Sequence, residues 1–332
     1  MKRIIIALLA ITVMLGCQEK KKSSRLNFHF ASLEEGQKTI STSDGFTQNL
    51  HTFDLVSRLQ DLGMEPSEEN YLKLCKSSVQ EWTEKEKQAL QRAAERLQRK
   101  IDSCGYILPL PYEIHLIKTS MVEEGGAGGY TRGACIFLAS CENLDPKRES
   151  FLDFLLAHEL FHVMTRYCPE FRKEMYAQIG FNILDQDIKF SDQLLEMRIS
   201  NPDVNKYDSY SIFEIGDKKV PCTMWFYNDS TYNGGAFFTY GKPGLIPLNE
   251  QFEPIMNEDG SPIIYKLDEA KDFFRLIGKN TGYIINPEEA LADNFSFALT
   301  DVFPKGQKSP EVTERLRKVM KGSWRKETAE KK

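Results

Sequence analysis

Histidine is scarce in this chain: five occur in 332 residues, and none follows His162. That excludes a histidine-rich metal tract and any histidine ligand from the second half. Excess basic charge is missing too. The formal net charge is −5, and −7 once Lys2 and Arg3 are removed with the leader, so the balance offers nothing to nucleic acid. Long apolar runs are lacking. Ile4 to Leu15 is 12 residues, short of the roughly 20 that a spanning helix needs, and no later stretch has spanning length. The glycine cluster Gly125-Gly126-Ala127-Gly128-Gly129 does not have the G-x-x-x-x-G-K-[ST] spacing of a phosphate loop and reads as a flexible loop. Internal repeats are absent. With 41% hydrophobic and 27% charged residues, the chain is a soluble globular protein, long enough for one large or two ordinary domains.

What the chain does hold is His158-Glu159-Leu160-Phe161-His162. Residues four apart share a helix face, so the two imidazoles can bind one Zn²⁺, and Glu159 is placed to take a proton from the attacking water. The flanks Phe151, Leu152, Phe154, Leu155, Leu156 and Val163 predict a buried helix, in which two His and a Glu would be costly without a metal or partners. A catalytic zinc usually has three protein ligands. The pattern H-E-x-x-H-x-x-G-x-x-H fails, because Thr165 and Cys168 stand where it needs Gly and His. A carboxylate remains. In Asn286-Pro287-Glu288-Glu289-Ala290-Leu291-Ala292-Asp293, Asn286 caps a helix and Pro287 suits its first turn. Glu289 and Asp293 then share a face, Glu289 to bind zinc and Asp293 to accept the N–H of a ligating imidazole. A simpler role for Glu289 is to reach back to Asn286 in a capping box.

His158-Glu159-x-x-His162 with the later Glu289-x-x-Ala292-Asp293 resembles the gluzincin metallopeptidases, in which two His and a downstream Glu hold zinc. The E-x-x-A-D form is similar to that of the membrane-bound M48-type peptidases, whose multiple membrane helices this chain lacks. The longer context, with Thr131-Arg132-Gly133, resembles bacterial H-E-x-x-H proteins across Tyr112 to Leu299. The resemblance implies an α+β, zincin-like metallopeptidase domain. It also implies that the strand Ala134 to Ala139, just before the metal helix, is the edge that pairs with extended substrate. Gluzincins often steady the oxyanion with a downstream His or Tyr; no such His exists, leaving Tyr283, Tyr240 and Arg166 as candidates.

Met1 to Gly16 reads as a signal peptide. Its end, Leu15-Gly16-Cys17, resembles a bacterial lipobox, so Cys17 is expected to carry lipid and to anchor the protein in the bacterial cell envelope, facing the periplasm or exterior. Residues 17–49 read as a tether and a poorly structured segment, 50–108 as helical, 109–303 as the catalytic domain and 304–332 as a basic tail. Within the helical segment Thr52 to Leu62, a helix from Ser67, and a third from Thr83 with Glu86 completing a capping box are predicted. Asp145 and Pro146 are expected to cap the metal helix. Further on, Val220 to Asn228 and Ala236 to Tyr240 are predicted strands. Six cysteines besides Cys17, an even number in an oxidising compartment, predict three disulfides, which we pair as Cys75–Cys104, Cys135–Cys141 and Cys168–Cys222.

The expected function is zinc-dependent hydrolysis of peptide or protein substrates with Glu159 as general base. The competing expectation is a non-enzymatic surface lipoprotein with a structural zinc that binds a glycan or protein partner. Glu159 argues against it, since a structural site needs no base and usually closes with four protein ligands.

Overall fold

The computed structural model describes residues 22–23, 25–141, 149–303 and 306–325. The leader, Cys17, Asp145, Pro146 and the end of the basic tail lie outside them. The first sheet contains β1 (Phe28–Phe30), β2 (Val79–Gln80), β3 (Ile114–Thr119), β4 (Gly129–Arg132) and β5 (Cys135–Leu138). Its order is β1-β3-β5-β4, with β2 pairing β3 off that path. β1, β3 and β5 run parallel, whereas β4 returns antiparallel along β5 as the edge.

Both faces of this sheet are covered. Ile114, Leu116, Ile136 and Leu138 face the main core with α4 (Glu84–Cys104) and α5 (Glu149–Tyr167). Ile117, Tyr130 and Phe137 face a second core with α1 (Leu33–Ile40), α2 (Thr52–Leu59) and α3 (Glu68–Ser78). The alternation of side chains along a strand sends neighbouring residues to opposite cores. β3 is thus buried on both sides. α4 starts at the expected Thr83–Glu86 capping box and ends at Gly105, whose φ of 62° accommodates the left-handed cap.

The remaining helices are α6 (Pro169–Ala177), α7 (Asp192–Met197), α8 (Phe273–Ile277), α9 (Pro287–Thr300) and α10 (Pro310–Met320). α5 is apolar nearly all round, which suits a helix enclosed on every side, and it packs against α4, α9 and β4. A second, antiparallel sheet has the order β10-β9-β8-β7-β6, built from β6 (Asn182–Ile183), β7 (Ser209–Ile215), β8 (Lys218–Tyr227), β9 (Lys242–Pro247) and β10 (Tyr265–Lys266). The whole is a mixed α and β architecture, compatible with the expected α+β class. Among the described residues no helix is long and apolar enough to cross a membrane.

Several expectations need correction. Residues 28–40, read as poorly structured, form β1 and α1 because the apolar residues Phe28, Phe30 and Ile40 have two cores to enter. Phe237–Tyr240 is a 3-10 turn, not a strand, and follows Gly234 and Gly235 at φ 104° and 84°. The strand lies just beyond, at β9, where Gly244 is required by close approach: a Cβ there would come within 2.4 Å of Ile264 and 2.9 Å of the Tyr227 ring.

None of the six described cysteines forms a disulfide. Cys75 belongs to the second core and Cys104 packs on the main one; Cys135 and Cys141 divide between the two cores in the same way. Cys135 opens β5 and Cys141 lies three residues past its end, on the other core. Cys168 and Cys222 share the main core, but Cys222 Sγ lies 3.6 Å from Val220 O instead of bonding Cys168.

Candidate metal centre

α5 and α9 meet along two matched i, i+4 pairs. Asn286 caps α9, its Oδ1 accepting from Glu289 N at 2.9 Å. The Glu289 carboxylate does not complete a capping box; it points across to α5. His158 Nε2 is 3.0 Å from Glu289 Oε2, and His162 Nε2 is 3.6 Å from the same oxygen. His158, His162 and Glu289 together offer ligand atoms within 4.8 Å of one another. Burial is nearly complete, with His158 8% exposed, Glu159 2%, His162 0% and Glu289 1%.

The opposite ring nitrogens are held. His158 Nδ1 pairs with Asp293 Oδ1 at 2.9 Å, and the other Asp293 oxygen accepts from Thr281 Oγ1. His162 Nδ1 pairs with Glu288 Oε1 at 3.2 Å. Glu288 also accepts from Thr165 Oγ1 and Tyr176 OH, each at 2.6 Å. Each imidazole is therefore oriented from behind by a carboxylate, the arrangement that fixes tautomer and ring plane at metal sites. Glu288 is the partner that sequence reasoning missed. Its signal was present, since His162 lies one helix turn along α5 from His158 while Glu288 lies little more than one turn before Asp293 on α9, but the adjacent Glu289 drew the ligand assignment.

The fit to a divalent cation can be tested on what lacks a partner. His162 Nε2 and Glu159 Oε2 are buried with no hydrogen bond. A buried polar atom without a partner costs about 1–3 kcal/mol, and two such atoms on one helix beside a third ligand group could be satisfied by a cation. Two imidazole nitrogens and one carboxylate oxygen are a donor set that zinc accepts. The residues fit.

Electrostatics follow from this crowding. Burial works against a charged His158, yet the carboxylates of Asp293 and Glu289 outweigh it and raise the imidazole to about 10. His162 is likewise raised, against burial, by Asp203, Glu289 and Glu288. Burial and then the charge of Asp203 push Glu159 up to about 8, opposed by the two histidines. Burial would raise Glu289, but the histidines hold it well below the usual carboxylate range.

A turn from the sequence's irregular middle closes the site. Asn201 Nδ2 donates to Glu289 Oε1, and Asp203 lies with Glu159 and His162 in a second group of potential ligands within 4.8 Å. Ser200 fixes the turn, its N and Oγ donating to Asp54 at 2.8 and 2.6 Å while Arg58 Nη2 donates to Ser200 O at 3.0 Å. Arg58 in turn pairs with Glu124 at 2.7 Å, with all three charged side chains buried. Neither Asn201 nor Asp203 carried a sequence signal beyond a turn-rich composition.

Of the three oxyanion candidates, Tyr283 is beside the centre, its ring centroid 6.2 Å from that of His158. It is 40% exposed. Burial of its phenol, followed by the charges of Glu289, Asp203, Glu159 and Asp293, pushes it well above the ordinary range, so it remains a donor. Arg166 is occupied elsewhere, bonding Thr131, Pro202 and Asp203 oxygens. Tyr240 donates to Asn233 and Gly234 oxygens and packs on Phe53 and Tyr232, apart from the cluster.

The expected substrate edge also moves. β5 is interior, and β4 is the edge beside α5. There a Cβ on Gly129 would come within 2.8 Å of Glu159 Oε1, so glycine allows the strand backbone to lie against the carboxylate. A cavity of about 580 Å³ adjoins the 200–204 turn from another side, lined by Arg132, Arg166, Arg198, Asn201 and Tyr207 and by none of His158, Glu159, His162 or Glu289.

Compared with known proteins, the chain matches no family model, no curated protein and no solved structure.

Proposed function

We propose that the protein is a zinc-dependent metallopeptidase of zincin-like fold, lipid-anchored through Cys17 and acting on peptides outside the cytoplasm. The observation that carries the reading is the pair of buried atoms without a hydrogen bond, His162 Nε2 and Glu159 Oε2, with His162 common to the His158–His162–Glu289 and the Glu159–His162–Asp203 groups of potential ligands. His158, His162 and Glu289 would hold the ion, and Asp293 and Glu288 would orient the imidazoles. When bound, zinc would polarise the scissile carbonyl and lower the pKa of water.

Glu159 accepts the proton of the attacking water and returns it to the leaving amine; its elevated proton affinity suits both halves of that task. Burial excludes bulk water from the carboxylate and strengthens every charge interaction around it. Tyr283, kept protonated by its surroundings, is the donor we assign to the developing oxyanion. β4, open beside Glu159, supplies backbone groups for an extended peptide.

The test is Glu159→Gln assayed on a diverse peptide library, with metal content measured in parallel. The variant should retain its metal and lose hydrolysis. Cleavage at the wild-type rate would refute the role of Glu159.

A further inference from the structure

The edge beside the centre is open over very little of its length. In an antiparallel ladder, residues alternate between bonding the partner strand and facing away from it. Gly128 O accepts from Ala139 N at 3.1 Å, so Gly128 faces β5. Gly129 and Thr131, paired opposite Leu138 and Ile136, then face the open side. Thr131 is closed there. Its N–H donates to Asp203 Oδ1 at 2.7 Å, and its C=O accepts from Arg166 Nη2 at 3.2 Å. The same guanidinium nitrogen donates to Pro202 O and Asp203 O at 3.0 and 3.1 Å, so the 202–203 turn stands across the strand as a wall. In the other direction Ala127 N is turned inward to Glu124 O at 3.2 Å. Gly129 remains as the residue with both outward groups available, and it is the one in contact distance of Glu159.

The wall has a sign. Asp203 Oδ1 accepts from Thr131 N and Oγ1, while Oδ2 takes no hydrogen bond from any described residue. Asp203 also offers a ligand atom within 4.8 Å of those of Glu159 and His162, and the buried, unpartnered Glu159 Oε2 belongs to the same space. The Arg166 guanidinium lies 3.7 Å from Asp203 Oδ1, but its N–H groups are already committed to five oxygens, of Thr131, Gly133, Pro202 and Asp203. A peptide end arriving at the wall meets a carboxylate oxygen that takes no hydrogen bond from the described residues, and a guanidinium whose donors are taken. That environment takes an ammonium and repels a terminal carboxylate.

We infer that the substrates are peptides with a free N-terminus, whose ammonium is held by Asp203 while Gly129 pairs with the backbone of the first residue. This rests on the peptidase reading above and adds the substrate class. Hydrolysis then consumes one water and breaks the first peptide bond. Glu159 moves the water proton to the leaving nitrogen, the first residue departs as an amino acid, and the rest keeps a new amino terminus.

The experiment compares peptides of one sequence with a free or an acetylated N-terminus, with products read by mass spectrometry. Free peptides should shorten from the N-terminus one residue at a time, and acetylated ones should be cut about 100-fold more slowly or not at all. Asp203→Asn keeps an acceptor for Thr131 and removes the charge. It should raise KM for free peptides at least about 30-fold, with a smaller change in kcat and unchanged metal content. Internal cleavage of acetylated peptides at a comparable rate would overturn the ammonium anchor and leave the peptidase reading standing. Loss of metal from Asp203→Asn would also overturn it, by making Asp203 a ligand. Failure to cut any peptide with metal bound would overturn both.

Discussion

Replacing Glu288 separates orientation of a ligand from ligation itself. The carboxylate is buried and accepts from His162 Nδ1 at 3.2 Å and from the hydroxyls of Thr165 and Tyr176 at 2.6 Å. Tyr176 sits beneath the Arg172 guanidinium, 4.7 Å from its ring centre, and Arg172 is paired with Asp208 at 2.6 Å. Glu288→Ala leaves Tyr176 OH and His162 Nδ1 without an acceptor, each costing about 1–3 kcal/mol, whereas the Thr165 hydroxyl keeps His162 O at 3.1 Å. Stability should therefore fall by about 2–6 kcal/mol, a large part of the 5–15 kcal/mol typical of a domain. With His162 free to rotate, zinc affinity should fall about 10–100-fold. Glu288→Gln keeps the volume, and its amide oxygen can still accept from His162 and Thr165 while Tyr176 turns to accept. It should fold nearly as stably as the wild type, with a smaller loss of affinity. Urea unfolding of metal-free protein gives the stability, and competition with a chromophoric chelator gives the affinity. If Glu288→Ala binds zinc as tightly as the wild type, α5 alone positions His162 and the orienting role is wrong.

Two further outcomes follow from the same geometry. Gly129→Ala would drive a methyl against Glu159 Oε1 and Leu138; displacing the base by about 1 Å should cost on the order of 100-fold in hydrolysis, with metal content unchanged, and unaltered kcat would deny the contact. Metal affinity should rise with pH, because both imidazoles are held protonated, His158 with a value of about 10, and each must lose its proton to ligate. The sign is that of a raised pKa: the competing proton is present below about 10 and lost above it. Affinity should climb about tenfold per pH unit for each proton displaced, and a flat profile between pH 6 and 9, measured by titration calorimetry, would contradict the protonation states assigned here.

The parts of the centre legible in the sequence were those set by helix periodicity. His158 and His162 at i, i+4 and Glu289 and Asp293 at i, i+4 each define a face whatever the rest of the chain does, and the structure brings those faces together. Asn286 announced where α9 begins. What escaped the sequence depends on tertiary placement. Asn201 and Asp203 arrive on an irregular turn fixed by Asp54 and Arg58, far away in the chain, and no local pattern encodes that clamp. Glu288 was passed over beside Glu289, although α5 gives it two donors, His162 and Thr165, and the packing of α6 adds Tyr176. The edge was assigned to Ala134 to Ala139 by the resemblance; the return of β4 along β5 takes that place. Cysteine parity predicted bridges, but the two cores on opposite sheet faces separate two of the three pairs.

The central claim is that His158, His162 and Glu289 are the protein ligands of one catalytic ion, and zinc titration of the wild type beside Glu289→Ala tests it most directly. The wild type should bind one zinc, and Glu289→Ala should bind none or bind far more weakly, because it loses one of three protein bonds while the Asn286 cap, made to the Glu289 backbone N–H, survives. A Glu289→Ala protein that holds one zinc at wild-type affinity would reduce Glu289 to a helix-terminal carboxylate and contradict the account.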